Sequence, residues 1–209
     1  MQIAIIGSGN VGKALAGSFV RAGHQVNLSA SDPENARAAA QDTGASAADS
    51  NTAAVEGADA VVLAVPYQAV EDVLEELDGS LAGKVLIDTT NRVNPADPGS
   101  VLDGTSASEQ IQALAPSARV VKAFNTVFAS RMTEPSVDDV QLDCYVAGDD
   151  EEAKRSVLEL AGSIGFQPID AGPLSMARVL EGMALLNITL QIRNGWPWQS
   201  GFKLVGPTG

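Results

Sequence analysis

The stretch "IAIIGSGNVGKALAG", Ile3–Gly17, decides the fold. It starts as a continuous apolar strand, turns through glycine, and opens a helix. Gly7, Gly9 and Gly12 stand in the spacing G-x-G-x-x-G, and that context of strand before and helix after is what the chemistry requires. Gly7 permits the tight turn, Gly9 lets backbone approach a pyrophosphate, and Gly12 lets helix and strand pack closely. The free N–H groups around Asn10 and Val11 then face phosphate oxygens with the helix dipole behind them. A glycine-rich turn without a ligand is the competing reading, and the strand–helix context weighs against it.

Outward from this loop, apolar runs of strand length alternate with helical patterns. Strands are expected at "QVNLS", "ADAVVLAVP", "GKVLIDTT", "ARVVKAF", "QLDCYVAG" and "FQPIDAG". Helices are expected at "PENARAAAQDTG", "SNTAAVEG", "QAVEDVLEEL", "SASEQIQALA" and "DDEEAKRSVLELAGSIG", with a long apolar one at "LSMARVLEGMALLNITLQI". This alternation implies an α/β fold, a doubly wound, mainly parallel Rossmann sheet with a small C-terminal helical part. The division expected is 1–170 for the dinucleotide-binding domain and 171–209 for a helix and tail completing the cleft. The least regular stretch is residues 91–109, rich in Pro and Gly, and loops of that length are often functional.

Composition narrows the partners. The net charge of −13 argues against nucleic acid or an anionic membrane surface. It suits a salt-adapted protein or simply an acidic enzyme. The single Cys144 excludes an internal disulfide, no basic leader precedes "QIAII", and no apolar run approaches the roughly 20 residues that cross a bilayer. A cytoplasmic location is the expectation.

The end of the second strand should say which dinucleotide is held. It reads Ser29, Ala30, Ser31, so the acid that usually binds a ribose hydroxyl is missing at position 30. Asp32 followed by Pro33 reads as a helix cap rather than a ribose ligand. Ser29 and Ser31 hydroxyls could take a 2′-phosphate, with Arg37 one turn further on. NADP is favoured over NAD, narrowly. Ligands bind beyond the carboxyl ends of parallel strands. Those ends carry Ala64, Val65, Pro66 and Tyr67, then Asn91, then Asn125 and Thr126. Pro66 and Tyr67 would wall a nicotinamide, and the two asparagines and Thr126 would meet its carboxamide and ribose. Tyr67 and Phe124 read equally well as packing.

Acid–base machinery is not evident. His24 follows Gly23 at the far end of the sheet, no His/Cys/carboxylate spacing suggests a metal, and Lys122 reads more readily as solvated or ion-paired than as a proton donor. No catalytic side chain is assigned. An alcohol dehydrogenase needs a positioned proton carrier. Hydride transfer between two flat rings needs alignment and dry walls instead.

"GSGNVGKALA", "ADAVVLAVPY", "VVKAFNT", "AGDDEEAK", "DAGPLSMARVLE" and the terminal "GFKL" together resemble the NADPH-dependent oxidoreductases of the coenzyme F420 (8-hydroxy-5-deazaflavin) type. The same chain is similar to the NADPH-binding domain of metalloreductases. The resemblance implies hydride exchange between NADP(H) and a deazaflavin or flavin, in a homodimer; a quinone is a further candidate for the planar acceptor. It implies that Ser8, Asn10 and Val11 touch the pyrophosphate and Ala64–Tyr67 the nicotinamide side. Asn125 and Thr126 would frame the meeting of the rings, with Leu174 and Met176 near the second ring. The family often has Ser-Arg where this chain has Ala30-Ser31. Two other readings are a dinucleotide-sensing module and a hydroxyacid or imino-acid dehydrogenase sharing "ADAVVLAVP". Trp196 and Trp198 fit a dimer seam, a ring-binding lid or plain packing.

Overall fold

Strand β1 (Gln2–Ile6) is buried from Ile3 onward, and its side chains divide between two layers. Ile3 and Ile5 pack with Leu15 and Phe19 of helix α1 (Asn10–Arg21), while Ala4 and Ile6 enter the core on the opposite face. A strand apolar in both directions needs helices on both sides, and the chain supplies them. The computed structural model describes residues 1–92 and 104–206.

The chain continues through β2 (Gln25–Ser29), α2 (Pro33–Thr43), β3 (Ser46–Ala47), α3 (Asn51–Val55) and β4 (Ala60–Leu63). Next come α4 (Val70–Glu76), β5 (Val85–Asp88), α5 (Ala107–Leu114) and β6 (Arg119–Lys122). Helix α6 (Ala129–Met132) and a hairpin of β7 (Ser136–Val137) and β8 (Val140–Gln141) lead to β9 (Asp143–Gly148), α7 (Glu151–Ser163), β10 (Gln167–Gly172) and α8 (Ala177–Asn194).

In the main sheet the order is β3-β2-β1-β4-β5-β6, all parallel, extended by β9 and β10. This is the dinucleotide-binding order, with its crossover point between β1 and β4. Helices α1, α2 and α7 cover one face; α3, α4 and α5 cover the other. The expected Rossmann architecture is present. Its departure from full parallelism is β9, which runs antiparallel to β6 through Val121↔Gly148 and Lys122↔Ala147.

Several start and stop signals read from the sequence are in place. Asp32 caps α2, its carboxylate accepting from the Glu34 N–H at 2.9 Å, with Pro33 in the first turn. Gly44 ends that helix in the left-handed region at φ +79°. The sequence pattern offers no element between Phe124 and Gln141, where α6 and the β7–β8 hairpin lie. Four- and two-residue elements are too short to carry a periodicity. Of the irregular stretch 91–109, residues 93–103 lie outside the described residues.

Helix α8 inverts the usual arrangement. Its buried stripe includes Glu181, Asn187 and Gln191, while Val179, Leu186 and Ile192 are 52%, 53% and 67% exposed. Behind it the tail turns back on the sheet. The Phe202 carbonyl accepts from Asp143 N–H at 3.0 Å, and Lys203 Nζ donates to the buried Asp143 carboxylate at 2.8 Å. Among the described residues no helix is long and apolar enough to cross a membrane.

Candidate functional site

Three glycines shape the loop between β1 and α1, each for a different reason. Gly7 sits at φ +114°, and a Cβ there would stand 2.4 Å from the Ala64 carbonyl oxygen. A Cβ on Gly12 would meet the Gly7 oxygen at 1.9 Å, so helix and loop touch only because this residue has no side chain. A Cβ on Gly9 would meet nothing within 4 Å. Packing therefore demands glycine at the first and third positions, whereas the second faces open space. That is the shape expected where a ligand, not protein, must approach the backbone.

The open space is a cavity of about 460 Å³ at the β1–β4 crossover. Gly7, Ser8, Gly9, Ser31, Ala64, Val65 and Pro66, all expected from the sequence, line it together with Ala30. Residues the sequence reading missed also line it, including Asn35, Asn51, Asp72 and Glu76. Their spacing along α2, α3 and α4 carries no motif, so only the fold brings them together.

A second cavity, of about 140 Å³, lies beyond the ends of β5 and β6. Val11, Asn91, Asn125 and Thr126 line it, with Ala184 and Asn187 of α8 closing the far side. The turn after β6 is held open by Phe124, a buried residue in the left-handed region at φ +63°. Strain of this kind, about 1 to 3 kcal/mol, gathers at functional sites. It places Asn125 so that its Nδ2 donates to Asn91 Oδ1 at 2.9 Å, while Asn91 Nδ2 donates to the Asn125 carbonyl at 3.0 Å. Trp198 packs edge-on against Phe128, another lining residue, with ring centroids 5.3 Å apart.

The remaining expected residues lie elsewhere. The Ser29 side chain is fully buried and its hydroxyl donates to Asn51 Oδ1 at 2.7 Å, so it is turned into the core. Arg37 lies on the surface, paired with Glu34 and with Asp49 at 3.1 Å, and does not line the cavity. Those two carboxylates raise its pKa further. Tyr67 lines a separate cleft of about 410 Å³ between α4 and α5, where its hydroxyl donates to Gln110. Asn10 is exposed in the first turn of α1, and Gly12 is buried against the loop. Leu174 is core, and neither it nor Met176 lines either cavity.

Beside the second cavity lies a buried ionic cluster with no sequence signature. Lys122 Nζ donates to Asp88 Oδ2 at 2.8 Å, to Glu181 Oε1 at 3.1 Å and to the Thr90 carbonyl at 2.6 Å, with all three charged side chains fully buried. The Ser108 hydroxyl donates to Asp88 and the Ala107 N–H to Glu181 Oε1, while Glu181 Oε2 is buried without a partner. Burial raises the Glu181 carboxyl above its ordinary range, and Lys122 partly offsets it. The lysine is thus a tie between β5, β6 and α8. His24, at the opposite end of the sheet, bonds the N-terminus and Ser163.

The sheet order, the crossover crevice and the glycine geometry define a dinucleotide-binding Rossmann protein. Residues 2–92 match the family described as NADP oxidoreductase, coenzyme F420-dependent. The F420-dependent NADP reductase of Methanothermobacter thermautotrophicus is 36% identical over 211 residues, covering 93% of this chain and 90% of that protein. The metalloreductase STEAP3 of Rattus norvegicus is 30% identical across 88% of this chain and 36% of its own length. A crystal structure from Arthrobacter sp. FB24, assigned as an F420-dependent NADP reductase, superposes with a TM-score of 0.87 at 29% identity. It covers 98% of this chain and 99% of that one. The chain belongs to the F420-dependent NADP reductase family.

Proposed function

We propose that this chain exchanges hydride between NADP(H) and the deazaflavin F420. The observation that carries the proposal is the Gly9 cradle, open to ligand at the crossover between two glycines that packing requires. The pyrophosphate would lie on the amides of Gly7–Asn10 with the dipole of α1 behind it. Val65, Pro66 and Val73 would offer the adenosine half an apolar wall, because Val65 and Pro66, expected on the nicotinamide side, share their cavity with Ala30, Ser31 and Asn35. Asn91, Asn125 and Thr126 would meet the nicotinamide end. Bound there, the nucleotide supplies or accepts the hydride, and the proton that balances deazaflavin reduction is exchanged with water. The protein's part is then binding, alignment and exclusion of water, with no step assigned to an acid–base side chain.

Residues 171–209 would complete the cleft and form a homodimer seam, since α8 turns Val179, Leu186 and Ile192 outward. A cytoplasmic location suits both the acidic charge and the redox substrates. Stopped-flow oxidation of NADPH in the presence of F420, FMN and a quinone tests the activity. F420 should be reduced fastest; no turnover with any of the three contradicts the reading.

A further inference from the structure

We infer that Asn125 and Asn187 form a two-sided clamp for a primary carboxamide, the one on the nicotinamide ring. The inference rests on the dinucleotide reading above. Both residues line the 140 Å³ cavity and both are more than nine-tenths buried, at 6% and 4% exposure. Each has one polar atom shielded from water and without a partner: Asn125 Oδ1 and Asn187 Nδ2. Leaving such an atom unmade costs about 1–3 kcal/mol, and native proteins keep few of them.

The bonds around each amide fix which end is free. Asn125 Nδ2 is spent on Asn91 Oδ1. Asn187 Oδ1 accepts from the Ser200 hydroxyl at 2.6 Å and from Gln191 Nε2 at 3.3 Å, which leaves its Nδ2 to donate. The two residues that line the cavity therefore hold one orphan acceptor, in the turn after β6, and one orphan donor, on α8. A carboxamide is the complement: its NH2 donates to Asn125 Oδ1 and its C=O accepts from Asn187 Nδ2.

Size and position separate this ligand from the second ring. The cavity is well below the roughly 300 Å³ at which sites for larger organic ligands begin. It also adjoins Val11, in the first turn behind the phosphate loop. One ring edge with its amide fits there, and a fused tricycle does not. Asn187 thereby becomes a positioning residue: by holding the carboxamide it fixes which face of the ring looks outward.

Calorimetric titration of the full chain with three nucleotides tests the clamp. NADP+ carries the carboxamide, its 3-acetylpyridine analogue keeps the C=O but replaces NH2 by methyl, and 2′,5′-ADP lacks the ring. Wild type should bind the analogue at least fivefold more weakly than NADP+. Asn187→Asp keeps the oxygen that Ser200 and Gln191 need and removes the donor. It should weaken NADP+ at least tenfold, leave 2′,5′-ADP within twofold and leave F420 unaffected. Equal wild-type affinities for NADP+ and the analogue would overturn the clamp even if the variant failed to fold. So would loss of F420 rather than NADP+ in Asn187→Asp. If wild type bound neither NADP+ nor 2′,5′-ADP, the dinucleotide reading itself would be at fault.

Discussion

Ser31 and Arg37 lie six residues apart at the start of α2, yet only Ser31 lines the cavity at the β1–β4 crossover. The sequence could place both near a 2′-phosphate, since both follow β2. It could not show that Glu34 and Asp49 hold the guanidinium outside, because Asp49 arrives from beyond β3. Nor could it show that Ser29 faces inward, since Ser29 occupies the buried side of β2 and bonds Asn51. An arginine introduced at the lining position should change selectivity. Ser31→Arg is expected to raise the NADPH-over-NADH affinity ratio about tenfold or more, through a charge-assisted contact with the phosphate. Arg37→Ala should alter that ratio less than twofold; paired titrations of both variants check this. The glycines give a second residue-scale expectation. Gly9→Ala should leave stability within about 0.5 kcal/mol of wild type, as surface changes do, yet weaken NADPH at least tenfold. Gly12→Ala should unfold at markedly lower denaturant, because its methyl meets the Gly7 carbonyl.

At the scale of elements, the strands and most helices were legible because their apolar runs and caps are local. "DPEN" encodes the start of α2 within four residues. Direction is not local: "QLDCYVAG" announces a strand, but nothing in it says that β9 runs against β6. The tie of α8 to the sheet was equally hidden, since Lys122 finds partners 34 and 59 residues away. A signal did exist in α8, where the polar Glu181, Asn187 and Gln191 fall on one side, with Ala184 among them, in a helix otherwise rich in Leu and Ile. A second tie joins α8 to α5: the Arg178 guanidinium holds the Glu109 carboxylate and lowers its pKa from 4.5 to about 2. A carboxylate with a depressed folded pKa stabilises the fold above its unfolded value and loses that contribution as pH falls. Arg178→Met should therefore destabilise the protein only slightly at pH 7, given the half-exposed arginine. The gap between variant and wild type should close as pH drops from 4.5 toward about 2, which denaturant titrations across that range would record.

For the whole molecule, the doubly wound sheet and the phosphate loop could be read directly, because one G-x-G-x-x-G in its strand–helix setting fixes the crevice. The lining of the second cavity could be read only in part. Asn91, Asn125 and Thr126 were visible as polar strand ends, whereas Asn187 enters from a helix at the other end of the chain. The outward apolar residues of α8 bear on assembly: light scattering should find a dimer, and Leu186→Glu should shift it to monomer. Hydride should pass directly from nicotinamide to deazaflavin with no protein group carrying it. NADPH deuterated at the transferable position of nicotinamide C4, mixed with F420 and this protein, should place the label on the carbon that replaces nitrogen at position 5 of the deazaflavin. Mass spectrometry should then recover singly deuterated reduced F420 in nearly stoichiometric yield. Reduced F420 free of label, with deuterium lost to water, would contradict it.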